Sequence, residues 1–458
     1  MRGWQAHHDA VARLGVSFER IPAGDRVRLA KKTSNLFRPR DASTVVGLDV
    51  SGLDGVIEID IDSLTADVQG MCTYERLVAE TLPRGLMPYV VPQLKTITLG
   101  GAVTGLGIES TSFRSGLPHE SVLELDILTG SGELITAAPD NEHSDLFDAF
   151  PNSYGSLGYA TRLKIKLEKV PARAVLRHVR MADAASAVKT IEVIADSGEW
   201  EGVRVDGLDG TAFSPDEIYL TLATFSNEQG ANDVNGRPSD YTGQQVYYKS
   251  IQTRETDAVT MEQYIWRWDT DWFWCSGAFG AQNKWLRRIW PRRWRRSDVY
   301  HRLVGLDEKV GLSRLLDRIK KVPGRERVIQ DIEVPVDRLP EFLEWFDAEV
   351  GMRPVWLCPL RTTRAWPVYP LTPGATYVNA GFWGTVEVPA DAEPGSVNRR
   401  IEEAVQKLGG HKSLYSEAFY DQETFDHMYG GETLAAARRR YDPDGRLSTL
   451  YEKAVRNS

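Results

Sequence analysis

The stretch "KTITLGGAVTGLGIES", residues 95–110, places four glycines within eight positions. Glycine at that density serves a backbone that takes positive φ, or that comes closer to a ligand than a Cβ allows. A phosphate-binding loop would use it so, and so would a set of tight turns in a β-rich domain. Two familiar phosphate motifs are excluded. A dinucleotide fingerprint needs G-x-G-x-x-G after a strand and opening a helix, but Gly100, Gly101, Gly105 and Gly107 are spaced differently, and "IESTSFRSGLPHE" reads on as turn residues. A Walker loop needs G-K-[ST] after its second glycine, and that is missing.

Two further clusters could do chemistry. "WRWDTDWFWC", residues 266–275, holds four tryptophans and a phenylalanine together with Asp269 and Asp271. Such a group lines an apolar pocket with carboxylates orienting polar groups, or forms ordinary aromatic core. "KWLRRIWPRRWRR", residues 284–296, carries seven cationic side chains and three tryptophans inside a chain of net charge −9. Tryptophan prefers the headgroup level of a bilayer and Arg/Lys are drawn to anionic lipid, so Arg292, Arg293, Trp294, Arg295 and Arg296 form a candidate membrane patch. A solvated face, or pairing with acids elsewhere on the chain, is the alternative. Pro291 predicts two short segments rather than one helix.

The elements that must position these residues are legible in part. "GVIEIDIDSLTADVQG" and "SVLELDILTGSGELITAAP" alternate apolar and polar residues around a turn, as hairpins do, and "TRLKIKLEKV" is a third alternation ending near Val170. "CTYERLVAETLPRGL" has helical spacing until Pro83 and Gly85 stop it. "RVIQDIEVPV" and "ATYVNAGFW" read as strands; "NRRIEEAVQKLGG" and "ETFDHMYGGETLAAARRRY" read as helices. The resulting expectation is an α+β chain in three parts, 1–170, 171–395 and 396–458.

The bulk numbers narrow the class. A chain of 458 residues has ample core, and 42% hydrophobic with 26% charged residues is ordinary globular composition. The acidic balance argues against nucleic acid as a partner. Three scattered cysteines (Cys72, Cys275, Cys358) fit neither a disulfide framework nor a metal site, which predicts a reducing cytoplasm and no metal. The first residues lack a signal-peptide core and no window reaches a transmembrane length, so attachment, if any, is expected to be peripheral, at the inner face of the plasma membrane.

"TITLGGAVTGLGIES" together with "SDLFDAFPNSYGSLGYATRLKIKLEKV" (144–170) resembles the FAD-binding domain of the vanillyl-alcohol-oxidase/PCMH superfamily. The similarity is to the branch of the Δ24-sterol reductases, continuing through "YIWRWDTDWFWCS", "VIQDIEVPV", "PVWLCPL" and "GGHKSLY". Within it the chain looks most like the actinobacterial reductases of 10-methylene-stearoyl lipids, whose product is the 10-methyl (tuberculostearoyl) chain. The resemblance implies a two-subdomain FAD-binding part (1–170), a substrate or cap part (171–395) and a C-terminal return to the flavin (396–458). It assigns Thr98, Gly100, Gly101, Thr104, Gly105, Glu109 and Ser110 to one cofactor loop, and Asn152, Ser153, Gly155 and Gly158 to another. Gly-rich turns can present backbone N–H groups to a diphosphate, and small side chains let it approach. "AKKTSNLFRPR" (30–40) stands where relatives carry a glycine loop, and offers Lys31, Lys32, Thr33, Ser34, Asn35 and Arg38 instead. It has no histidine, the usual flavin tether, which predicts noncovalent FAD.

Saturating a C=C needs a hydride, a proton and stabilisation of charge on the reduced ring. The returning segment "GGHKSLYSEAFY" therefore supplies the candidates: Lys412 for the flavin edge, and His411, Tyr415 and Glu417 as proton donors without rank. Trp266, Trp268, Asp269, Asp271 and Trp272 are the candidate acyl-chain lining. NADPH is the expected reductant, phospholipid acyl chains the expected partner, and the methyltransferase that makes the methylene substrate a functional one. The alternatives are a Δ24-sterol-type reductase, an FAD-dependent alcohol or sugar oxidase using O₂, and a lipid-surface protein that has lost its flavin.

Overall fold

The computed structural model describes residues 1–31, 37, 47–227, 238–310 and 324–455. Ser34 and Asn35, with Lys32, Thr33 and Arg38, lie outside the described residues. Two antiparallel sheets organise the molecule. The first has Val56–Asp60, Thr65–Gln69, Tyr159–Lys169, Val122–Leu128 and Leu134–Ala137 in that order, with Leu86–Pro88 also pairing with Tyr159–Lys169. Both hairpins read from the sequence are present in it. The helix Tyr74–Thr81 packs beside them; Thr73 caps it by accepting from the Arg76 N–H at 3.3 Å, and Gly85 turns the chain at φ +68°.

The second sheet has eight strands, from Thr256–Thr260 through Arg173–Met181, Glu217–Ser226, Gly207–Ser214, Val355–Leu360, Tyr377–Val388 and Gly324–Pro335 to His411–Lys412. The last strand comes from the C-terminal segment and pairs with the acidic end of Gly324–Pro335. Side chains alternate across this sheet as its pleat requires. Val328, Ile332, Val334, Val355, Leu357, Val378, Ala380 and Phe382 face a core shared with the helices Ala184–Ser197, Leu339–Glu349 and Ser396–Lys407. Trp356, Cys358, Leu360 and Tyr377 face the other way, into a core continuous with the first sheet. That inner face also carries Asp331 and Glu333, two carboxyls where apolar residues are the rule.

The glycine stretch differs from expectation. Leu99–Thr104 is a short helix, with Thr98 capping the Gly101 N–H at 3.2 Å. A Cβ on Gly100 would stand 2.6 Å from the Gly70 carbonyl oxygen, and one on Gly107 2.8 Å from Pro92. Close packing therefore demands these glycines whatever else they serve. The basic stretch splits as Pro291 predicts, into Lys284–Ile289 and Arg292–Trp294.

Candidate functional site

A cavity of about 970 Å³ lies between the two sheets. It is near the top of the ~300–1,000 Å³ range of ligand pockets. One wall is bare backbone and cation: Gly100, Gly101, Gly105, Gly107, Gly155 and Gly158 with Thr98, Thr104, Lys31 and Lys453. The opposite wall comes from the inner face of the eight-stranded sheet and its connections: Trp272, Phe273, Trp356, Trp383, Asp331, Ser413 and Tyr415.

Of the cofactor candidates, Thr98, Gly100, Gly101, Thr104, Gly105, Gly155, Gly158 and Lys31 stand on this wall. The N–H groups of Leu99, Gly100 and Gly101 are already taken by the Cys72 and Gly70 carbonyls and the Thr98 hydroxyl. These positions offer a ligand close approach rather than donors, which corrects the nest expected there. Gly158, at φ +135°, could not carry a Cβ, which would sit 2.5 Å from the Leu128 oxygen. Lys453, which the sequence did not single out, fixes the second loop by donating to the Tyr154 and Gly155 carbonyls at 3.1 and 2.7 Å.

Four candidates leave the wall. Glu109 is buried and ion-paired with Arg267 at 3.1 Å, while Ser110 bonds Glu109 and Tyr264. Burial pushes the Glu109 carboxyl up, and the Arg267 guanidinium opposes that shift. Arg267 also holds Asp209 at 3.2 Å, and Asp209 accepts the indole N–H of Trp356 at 3.1 Å. Glu109 therefore acts on the cavity only through a chain that fixes Trp356. Asn152, at φ +61°, and Ser153, whose hydroxyl bonds the Phe150 carbonyl at 2.6 Å, shape the turn behind Gly155.

Among the catalytic candidates only Tyr415 lines the cavity. Its hydroxyl accepts the Trp383 indole N–H at 2.8 Å and donates to Asp331. Lys412 is turned away: its ammonium, fully buried, binds Glu402 at 2.5 Å and the Glu417 carbonyl. Its strand neighbour Ile332 faces the outer core, so the pleat sends Lys412 there as well. Glu417 meets it only through that backbone oxygen. His411 is off the wall, and burial lowers its imidazole to about 4, which leaves it neutral and without a proton to give.

Of the aromatic cluster, Trp272 lines the cavity, joined by Phe273. Both hold positive φ, +45° and +59°, an uncommon state for aromatic residues and a small store of strain. Trp268 stacks on Phe273 with centroids 4.9 Å apart and donates to Asp209 at 2.9 Å; Trp266 lies under Lys95. The two carboxylates hold protein, not ligand. Asp269 accepts from the Lys95 N–H and Ser297, and Asp271 forms a buried pair with Arg287 at 2.7 Å. In the basic stretch Arg295 is buried against the Thr242, Gly243, Arg287 and Trp290 carbonyls, and Arg296 is tied to Glu75 and Asp298. Both are structural, correcting their place in the patch. Arg292, Arg293 and Trp294 are exposed, as are Lys284, Trp285, Leu286, Arg288 and Ile289.

Bare backbone and lysines facing a flat aromatic wall suit a ligand that is anionic in one part and planar in another. Comparison with known proteins decides which. Residues 23–138 match the family described as FAD binding domain. This chain carries an FAD-binding domain. With it the two antiparallel sheets make a PCMH-type α+β fold. The chain is similar to the Delta(24)-sterol reductase of Arabidopsis thaliana, 26% identical over 441 residues that cover 89% of this chain and 76% of the relative. The Homo sapiens Delta(24)-sterol reductase is 24% identical over 419 residues, covering 87% and 75%. Cytokinin dehydrogenase 1 of Oryza sativa subsp. japonica is 32% identical over 165 residues, 36% of this chain and 30% of the relative. The cavity fits FAD: Lys31, Lys453 and the glycine wall suit the diphosphate, and the indoles suit the ring system. The sterol reductases match across both sheets, whereas the dehydrogenase matches over about a third of the chain.

Proposed function

We propose that the protein is an FAD-dependent reductase of a lipid C=C, acting on the 10-methylene group of a phospholipid-bound stearoyl chain to give the 10-methylstearoyl chain, with NADPH as electron donor. The observation that carries the reading is the shared cavity. The stretch matching the FAD-binding domain supplies most of its bare wall, and the second sheet with its connections supplies an aromatic wall with one embedded carboxyl. When bound, the reduced flavin supplies hydride; the chain supplies a dry apolar surface for an alkene and a place to hold a proton. Similarity to Δ24-sterol reductases over nearly the whole chain supports alkene saturation. The exposed tryptophans and cations of 284–294 support a phospholipid rather than a free small molecule. No described residue on the cavity wall is a histidine or cysteine, which favours noncovalent flavin.

A sterol with a Δ24 double bond is the second reading, favoured by the same relatives. One anaerobic experiment separates them. The yellow protein is reduced with NADPH, and 10-methylene-stearoyl phospholipid or a Δ24 sterol is added. Return of the oxidised flavin spectrum with the methylene lipid alone is expected. Return with the sterol alone selects the second reading, and no return with either rejects the reductase.

A further inference from the structure

A reductase of an unactivated alkene must also deliver a proton, and among the described residues three acids stand on the cavity wall: Asp49, Asp54 and Asp331. Asp54 is ion-paired with Arg2 and Arg76 at 2.7 and 3.3 Å, near solvent. Hydrogen bonds from the Ser51 side chain and from its N–H, the latter at 2.9 Å, hold the Asp49 carboxyl below the usual range. Asp49 is therefore a carboxylate without a proton to give, and Asp54 is committed to its two ion pairs. Asp331 has a different setting. It sits in the aromatic wall, takes hydrogen bonds from Asn379 at 3.2 Å and from Tyr415, and faces Gly381, whose missing side chain makes room for the carboxyl. The groups around it are Glu333 on its own strand, Asn379 and Trp383 from the adjacent strand, Cys358 beyond, and Ser413 and Tyr415 from the C-terminal return. Among the described residues, none of the groups acting on it is a cation.

We propose that Asp331 is the proton donor of the reaction: its carboxyl protonates the alkene carbon that the hydride does not reach. The inference rests on the reductase reading above. The balance is simple. The π bond breaks, one carbon takes hydride from the reduced flavin, and the π electron pair forms the second C–H bond with the Asp331 proton. Asp331 is left as carboxylate and recovers its proton from water entering the cavity.

Burial without a counter-charge raises the Asp331 carboxyl to about 7. Glu333, raised to about 8 by burial, lies two residues along the same strand face, bonded by Tyr369 and, at 3.3 Å, by Ser413. A second negative charge beside it is costly, which helps keep the pair protonated. An acid poised near the working pH is what general acid catalysis favours. The other candidates are worse placed: the Tyr415 phenol is pushed well above its ordinary value, and His411 is neutral and off the wall.

The test uses the FAD-loaded protein and Asp331→Asn. Expected are unchanged FAD binding, unchanged flavin reduction by NADPH, and alkene-dependent reoxidation slowed by about 100-fold or more, the usual worth of a general acid. In the wild type, reoxidation should fall about tenfold per pH unit above Asp331's titration near neutrality. Asp331→Glu should restore part of the rate. A readout independent of turnover is the part of the infrared carbonyl band of protonated carboxyls that is lost as pH rises through about 7 in the wild type; it should be missing from Asp331→Asn, in which only the Glu333 contribution, titrating near 8, remains. Reoxidation of Asp331→Asn within a few-fold of wild type, or no such band, overturns the proposal alone. Wild-type flavin that no alkene reoxidises overturns the reductase reading, and this proposal with it.

Discussion

At the scale of single residues, chemical type misled where the partner was distant. Lys412 beside His411 looks like an electrostatic clamp for a reduced ring, yet its ammonium is buried against Glu402. Glu402 is ten positions earlier, on the helix Ser396–Lys407, and no local pattern announces the pair. A buried ion pair is costly to break from one side, because the remaining charge is left without compensation. Lys412→Met should therefore lower stability by about 3–5 kcal/mol, read by denaturant unfolding. The flavin reduction potential should stay where it is, since the ammonium does not reach the cavity. Adding Glu402→Gln should recover most of the loss. A potential that shifts in Lys412→Met while stability holds would return this lysine to the flavin.

At the scale of elements, the segment 261–276 shows how the site is held. Trp272 and Phe273 reach the cavity from left-handed backbone, and the adjacent Asp271 is clamped by Arg287. Arg287 in turn donates to the Gly243, Tyr241 and Gln245 carbonyls at 2.9 to 3.0 Å. Arg287→Lys keeps the charge but loses this fork, since an ammonium cannot span the same acceptors. It should raise the lipid KM about tenfold, ~1.4 kcal/mol, with kcat and FAD content little changed. Unaltered KM in a folded variant would detach the clamp from the aromatic wall. Strands and hairpins were legible because alternation is local and both sheets bury one face. The same alternation puts Asp331 and Glu333 together on one face of "VIQDIEVPV", so the sequence itself carries the signal for this carboxyl pair. The helix Leu99–Thr104 was not legible, since two glycines in six residues argue against helix until the Gly70 backbone packs on Gly100 and the Thr98 hydroxyl on Gly101. Likewise the tryptophan count marked a site region, but only sheet register puts Trp356 and Trp383 on the wall, while Trp266, at the end of the helix Met261–Ile265 outside the sheet, does not line the cavity.

At the scale of the whole molecule, the proposed phospholipid substrate requires an acyl chain to leave a bilayer and reach a cavity between two sheets. No helix among the described residues is long and apolar enough to cross a membrane. Exposed large apolar side chains gather instead at 285–294: Trp285 and Ile289 are each 77% exposed, with Leu286 and Trp294 near half. Lys284, Arg288, Arg292 and Arg293 surround them in solvent, while Arg287, on the same helix, is the buried partner of Asp271 beside the cavity wall. Apolar tips ringed by cations suit an anionic leaflet, with each basic residue near the surface contributing about 1 kcal/mol. Glutamate at positions 284, 288, 292 and 293 should therefore abolish binding to phosphatidylglycerol vesicles. Trp285→Ser with Ile289→Ser should weaken it with less dependence on salt, because burial rather than charge is lost. Vesicle flotation at low and high ionic strength measures both. Since none of these side chains lines the cavity, turnover of detergent-dispersed lipid should be retained. Equal loss on vesicles and in detergent would mean that the patch supports the fold, not the membrane encounter.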